Sequence, residues 1–168
     1  MTTITLNGEP VSIAGTLPKI GDQAPDFILV DTQLQDTCLK KFRGKKKLLN
    51  IVPSLDTPLC GESARIFNYR AGLLENVAVL VVSADLPFAQ QRFCSVEGVD
   101  RLTTLSMLRS KDFARDYGVL IETGPLAGLA ARAVVIIDEM DRIIYVQRVP
   151  EITAEPDYEA AIAALMTS

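Results

Sequence analysis

The chain has 168 residues, enough for one compact domain with a full core. Hydrophobic residues make up 48%, which argues against disorder, and a net charge of −4 with a pI near 4.9 argues against a nucleic-acid binder. Histidine and tryptophan are absent, so Ser-His-Asp and Cys-His catalysis and most zinc chemistry are excluded. Any general base must be a carboxylate, lysine, tyrosine or cysteine. The cysteines are Cys38, Cys60 and Cys94. They form no Cys-x-x-Cys pair, make a poor metal site without histidine, and do not suggest a secreted disulfide framework. Residues 1–8 show no basic, apolar leader pattern, and the longest apolar runs are too short to span a bilayer. A soluble, cytoplasmic, single-domain chain over residues 1–168 is expected, with neither metal nor cofactor.

In chain order, Ile4 and Leu6, the turn Asn7-Gly8, and Val11 and Ile13 predict a β-hairpin. A loop from Gly15 to Asp26 leads to a short strand over 27–30, a polar turn and a brief return strand over 37–39. The basic run 40–47 reads as a solvated turn, since it lacks the spacing of a phosphate loop. Leu48 to Val52 predicts a buried strand and residues 59–73 a helix. The β-branched run 77–83 predicts a second central strand parallel to the first. Residues 88–96 predict a short helix carrying Cys94, 103–106 a short strand, and 111–117 a helix ended by Gly118. Residues 133–137 and 142–146 predict an antiparallel hairpin, and Glu155-Pro156 the opening of a C-terminal amphipathic helix. The order β-α-β-α, then hairpin and helix, is that of a thioredoxin-like α/β sandwich, with the N-terminal hairpin and the 111–117 helix as additions.

Pro53 to Cys60 links the first central strand to its helix. Thr57 suits the N-cap and Pro58 the first helical position, which makes Cys60 the third helical residue. There its sulfur lies at the positive end of the helix dipole, a position that favours the nucleophilic thiolate. Read alone, Cys60 is as compatible with a buried structural cysteine.

The pattern Pro53-x-x-x-Thr57-x-x-Cys60 resembles the active-site motif of peroxiredoxins. Residues 50–57, the Cys94 segment 83–94, and the Arg132 segment 124–132 are similar to the bacterial thiol peroxidases, the atypical two-cysteine peroxiredoxins. The resemblance covers essentially the whole chain. It implies that Cys60 is the peroxidatic cysteine and Cys94 the resolving one, that Thr57 and Arg132 complete the peroxide site, and that Pro53 shields it. It further implies hydrogen peroxide and alkyl hydroperoxides as substrates, an intramolecular Cys60–Cys94 disulfide, thioredoxin as reductant, and a homodimer. Arg132 fits by charge, since it can stabilise both the thiolate and the departing oxygen. Because Cys60 and Cys94 sit on different predicted helices, one or both helices must unwind in part for the sulfurs to meet. One departure is that strand 77–83 lacks the third cysteine some relatives carry; the catalytic pair is intact.

Blander readings stand beside each role. Thr57 serves as a plain helix cap, Arg132 as a surface charge, and Cys94 as a buried apolar thiol beside Phe88 and Phe93, which would leave a single-cysteine peroxidase. Cys38 falls outside every motif and reads as an incidental thiol on a strand. Two other classes of function compete, a thioredoxin-like binding module without catalysis and a thiol–disulfide oxidoreductase with no peroxide step. The first predicts no peroxide consumption; the absence of Cys-x-x-Cys counts against the second.

Overall fold

The structure, a computed structural model, describes residues 2–167. A seven-stranded mixed sheet forms its centre, built from β3 (Leu29–Val30), β4 (Asp36–Thr37), β5 (Lys46–Ile51), β6 (Val77–Ser83), β7 (Thr103–Ser106), β9 (Ala133–Ile137) and β10 (Ile143–Arg148) in the order β10-β9-β5-β6-β7-β3-β4. The inner strands β5, β6 and β7 are parallel, and β9 runs antiparallel to β5. The helices are α1 (Pro58–Arg70), α2 (Pro87–Glu97), α3 (Asp112–Asp116) and α4 (Tyr158–Met166). This is the thioredoxin-like α/β arrangement expected. The N-terminal hairpin, β1 (Thr2–Leu6) with β2 (Glu9–Ala14), gains a third strand, β8 (Leu120–Ile121), which the sequence did not announce.

Alternation along the central strands divides the core between two faces. Leu48, Val79, Val134 and Ile136 meet Phe67 of α1 and Ile162 and Leu165 of α4. Leu49, Ile51, Leu80, Val82 and Val135 face the other way, towards Phe113, Tyr117 and the hairpin residues Val11 and Ile13. Both faces are covered, which explains why β5 and β6 read as continuous apolar runs.

Several boundaries differ from expectation. Helix α1 stops at Arg70, because the N–H groups of Ala71 and Gly72 both close on the Phe67 carbonyl. Helix α4 starts at Tyr158, where Asp157 Oδ1 accepts the Ala160 N–H at 3.0 Å. Cys38 lies just past β4, at the start of a 3-10 turn over Leu39–Phe42. Lys47 belongs to β5 and is fully buried, contrary to the solvated turn. Its Nζ donates to Asp141 Oδ1 at 2.6 Å and to the Asp138 carbonyl at 2.9 Å, so the buried charge is paired.

Candidate active site

The Pro53–Cys60 loop leaves the carboxyl end of β5 and turns into α1. Pro58 opens the helix and Cys60 is its third residue, as the spacing predicts. Pro53, the first residue of the loop, is buried. The Asn50 side chain on β5 donates to Ser63 Oγ at 3.1 Å, and Ser63 donates to the Cys60 carbonyl at 3.0 Å, pinning the first turn to the sheet. Thr57 occupies the N-cap position without capping through its side chain. Its exposed hydroxyl donates back to the Ser54 carbonyl at 2.9 Å, so the side chain does not serve as the plain helix cap. The turn it tightens is its own loop's.

Arg132 immediately precedes β9 and is 2% exposed, which removes the surface-charge reading. Its Nη2 donates to Cys60 Sγ at 3.2 Å and its Nε to the Ile152 carbonyl at 3.1 Å. The guanidinium therefore sets a fixed positive charge and a hydrogen-bond donor directly against the sulfur. Nη1 is buried with no hydrogen-bond partner among the described residues. A donor in that condition can receive a developing negative oxygen beside the sulfur.

The Ile152 segment is itself strapped to the N-terminal hairpin. Ile152 N–H donates to the Thr5 carbonyl at 2.9 Å, and Thr5 N–H donates to the Pro150 carbonyl at 2.8 Å. The Glu151 carboxylate accepts bonds from Thr153 N and Oγ1, Gly8 N, Asn7 N and Thr5 Oγ1. These donors, led by the Thr153 and Gly8 N–H groups, hold the carboxyl down at about 2.

Cys60 is 0% exposed and packs with Val52, Leu55, Ala64 and Val81, and with Phe93 of α2. Leu55 and Phe93 also line an open cleft of about 550 Å³, with Ser54, Asp85, Arg92 and Val96. The cleft thus lies beside Cys60 with two apolar side chains between. Helix α2 approaches α1 closely at Gly61, where a Cβ would stand 3.2 Å from the Phe93 ring. Arg65 of α1 reaches Glu97 of α2 at 3.2 Å.

Cys94 faces elsewhere. It is half-buried on α2 and lines a separate hollow with Thr32, Gln91 and Thr103. Burial pushes its thiol up. Phe88 is 65% exposed, so the apolar nest expected around Cys94 does not form. All three cysteines are free thiols, and no group of three or more Cys, Asp or Glu that could hold a metal occurs among the described residues. No described helix is long and apolar enough to cross a membrane.

Two contributors escaped the sequence reading. Asp85, which in sequence is one residue of the Cys94 segment with no role of its own, accepts hydrogen bonds from Ser54 Oγ at 2.6 Å and from Leu55 N–H at 2.8 Å. The Tyr158 hydroxyl is buried without a partner among the described residues, and its ring stands edge-on to Phe67 at 5.3 Å. Burial, then Glu155, raises the phenol to about 12, against the opposing charge of Arg132. A tyrosine on an amphipathic helix gave no sign of this.

Comparison with known proteins agrees with the geometry. The redoxin family model matches residues 19–162. A curated thiol peroxidase of Leptospira interrogans is 49% identical over 166 residues, covering 98% of this chain and 97% of the relative. The chain belongs to the redoxin family. Within it, the chain is a peroxiredoxin of the thiol peroxidase kind, an antioxidant enzyme with peroxidase function. The crystal structure of a peroxiredoxin-like protein from Aquifex aeolicus superposes on this peroxiredoxin with a TM-score of 0.92 at 42% identity, covering 98% of this chain and 96% of that one. A thiol peroxidase from Chromobacterium violaceum gives 0.86 at 28% identity, covering 97% and 94%.

Proposed function

We propose that this peroxiredoxin reduces hydrogen peroxide and alkyl hydroperoxides through Cys60, with Cys94 as the resolving thiol and thioredoxin as the reductant. The observation that carries this reading is the Arg132 Nη2 contact to Cys60 Sγ at 3.2 Å, at the first turn of α1. The Cys60 thiolate attacks one peroxide oxygen. The S–O bond forms as the O–O bond breaks, and the departing oxygen leaves as alkoxide or hydroxide and takes a proton. Arg132, through Nη1 and Nη2, stabilises the charge on that oxygen. Thr57 completes the peroxide site with Arg132, its loop kept folded through Ser54, and Pro53 shields that site.

Cys94 then loses its proton and attacks the Cys60 sulfenic sulfur. An S–S bond forms and the sulfenic oxygen leaves as water. The sulfurs must approach to disulfide distance, which requires Cα atoms within about 4.4–6.8 Å. Cys94 faces its own hollow in the reduced chain, so the helices must loosen between the two steps. Thioredoxin donates two electrons and two protons to restore both thiols. A single domain over the whole chain, a cytoplasmic location and a homodimer complete the reading.

The test mixes reduced protein with one equivalent of cumene hydroperoxide in stopped flow and maps the product by mass spectrometry. Rapid oxidation ending in a Cys60–Cys94 bridge that thioredoxin reduces is the expected result. Rapid oxidation ending in Cys60 sulfenic or sulfinic acid removes Cys94 from its role. Oxidation no faster than that of a free thiol overturns the assignment of Cys60.

A further inference from the structure

Asp85 stands at the junction between β6 and α2, fastened to the sheet on one side and to the Cys60 loop on the other. On the sheet side, Ser83 Oγ donates to its Oδ2 at 2.7 Å and Ser106 Oγ to its carbonyl oxygen at 2.5 Å. Ser83 and Ser106 are fully buried and face each other across the parallel pair β6–β7. On the loop side, Ser54 Oγ and Leu55 N–H donate to the two carboxylate oxygens. Ser54 passes the hold onward. Its Oγ accepts the Asp56 N–H at 3.1 Å, and its carbonyl accepts the Thr57 hydroxyl at 2.9 Å and the Thr57 N–H at 3.3 Å. Residues 54 to 57 are therefore all tied to one carboxylate, directly or through Ser54. Leu55 then packs on Cys60, and Gly61 N–H donates to the Thr57 carbonyl at 3.0 Å.

The same junction divides α2. Gln90, fully buried, donates to Ser83 Oγ and to the Leu105 carbonyl, both at 3.0 Å, and so fixes the start of the helix to the sheet. Beyond Gln90 every residue to Glu97 is exposed or only half-buried. A segment with few buried contacts opens at low cost, and Cys94 lies within it.

We propose that Asp85 is a positioning residue that holds the 54–57 loop closed over Cys60 while leaving the Cys94 half of α2 free to open. This rests on the roles given to Cys60 and Cys94 under Proposed function. The closed loop serves peroxide attack, which needs Cys60 against Arg132. The open form serves resolution, which joins the two sulfurs and releases water. Weakening the hold therefore moves the two rates in opposite directions, whereas simple destabilisation lowers both.

The experiment uses rapid quench and mass spectrometry on the whole chain as Asp85→Asn, Ser54→Ala and the unaltered protein. It follows Cys60 oxidation by cumene hydroperoxide, Cys60–Cys94 bridge formation, and the sulfinic fraction at high peroxide. Asp85→Asn is expected to slow oxidation about tenfold, the effect of one hydrogen bond to a charged group. It should also speed bridge formation and lower the sulfinic fraction. Ser54→Ala, which spares the Leu55 and Ser83 bonds, should do the same to a smaller degree, and it decides the matter if Asp85→Asn does not fold. Two rates that fall together, or that do not move, overturn the role of Asp85 alone. An unaltered protein that fails to form the Cys60–Cys94 bridge overturns the cysteine assignments and this inference with them.

Discussion

Around Cys60 the chain is clamped by Arg132, by Ser63 on its carbonyl, by Asp85 acting through Ser54 and Leu55, and by the packing of Phe93. Beyond Gln90, which ties the start of α2 to the sheet, the residues around Cys94 are exposed or half-buried, with Phe93 packed on the Cys60 cluster and Arg65 paired with Glu97. The contrast matches the roles proposed for the two thiols. Attack on peroxide profits from donors fixed in advance where charge will develop, so rigidity serves it. Resolution needs a thiol that can travel, so a weakly buried half-helix serves that step.

The comparison breaks most sharply at Cys60. Cys60→Ser should abolish rapid peroxide consumption, read by peroxide loss under excess thioredoxin. Cys94→Ser should leave the first oxidation intact but end turnover by thioredoxin, with sulfenic acid in place of a bridge in the mass spectrum. An unchanged steady-state rate for Cys94→Ser would break the division of labour. Arg132→Met should slow the first oxidation by about 10²–10³-fold, the range for removing one donor from a developing oxyanion. A smaller loss would move the stabilising charge elsewhere.

Subtler tests sharpen the Cys94 side. Burial raises the Cys94 thiol, so the folded ground state stays protonated to higher pH than an ordinary thiol. Bridge formation should therefore keep accelerating as pH rises past about 8.5, the value of a free cysteine. A plateau at that value would show Cys94 already unburied in the ground state. Glu97→Gln removes a partly exposed ion pair of about 0.2–1 kcal/mol, so bridge formation should quicken by at most a few fold.

The smallest effect concerns the strap behind Arg132. The Glu151 carboxyl lies at about 2 when folded, below its ordinary 4.5. A depressed acid stabilises fully above its unfolded value, and that contribution disappears as pH falls through the folded value. The melting-temperature gap between the unaltered chain and Glu151→Gln should thus be constant above pH 4.5 and close as pH drops to about 2. A gap that stays open at the lowest pH would assign the stabilisation to packing.

Local signals were the legible ones. Thr57 and Pro58 mark where α1 begins, and so place Cys60 in its first turn from local residues alone. The unbroken apolar runs of β5 and β6 disclosed a parallel pair buried on both faces. Arg132 could be reached only through resemblance, since nothing in a residue preceding a strand tells which sulfur its side chain will meet. Lys47 looks solvent-facing in sequence because its neutralising partner, Asp141, comes from a turn far along the chain. Asp85 carries no local signal for the same reason, as its donors come from β6 and from the loop before α1. Tertiary pairing of polar groups leaves no periodic trace in sequence, whereas burial and helix starts do.

The strap between the hairpin and Ile152 has a practical consequence for protein engineering. Thr5 holds Ile152, and the Ile152 carbonyl holds the Arg132 guanidinium. A trimmed enzyme lacking the hairpin would keep every cysteine and still lose a strut of its arginine. Fusion partners and tags therefore belong at the other end of the molecule, and a shortened variant with poor turnover would report a slackened arginine while its sulfur chemistry stayed sound.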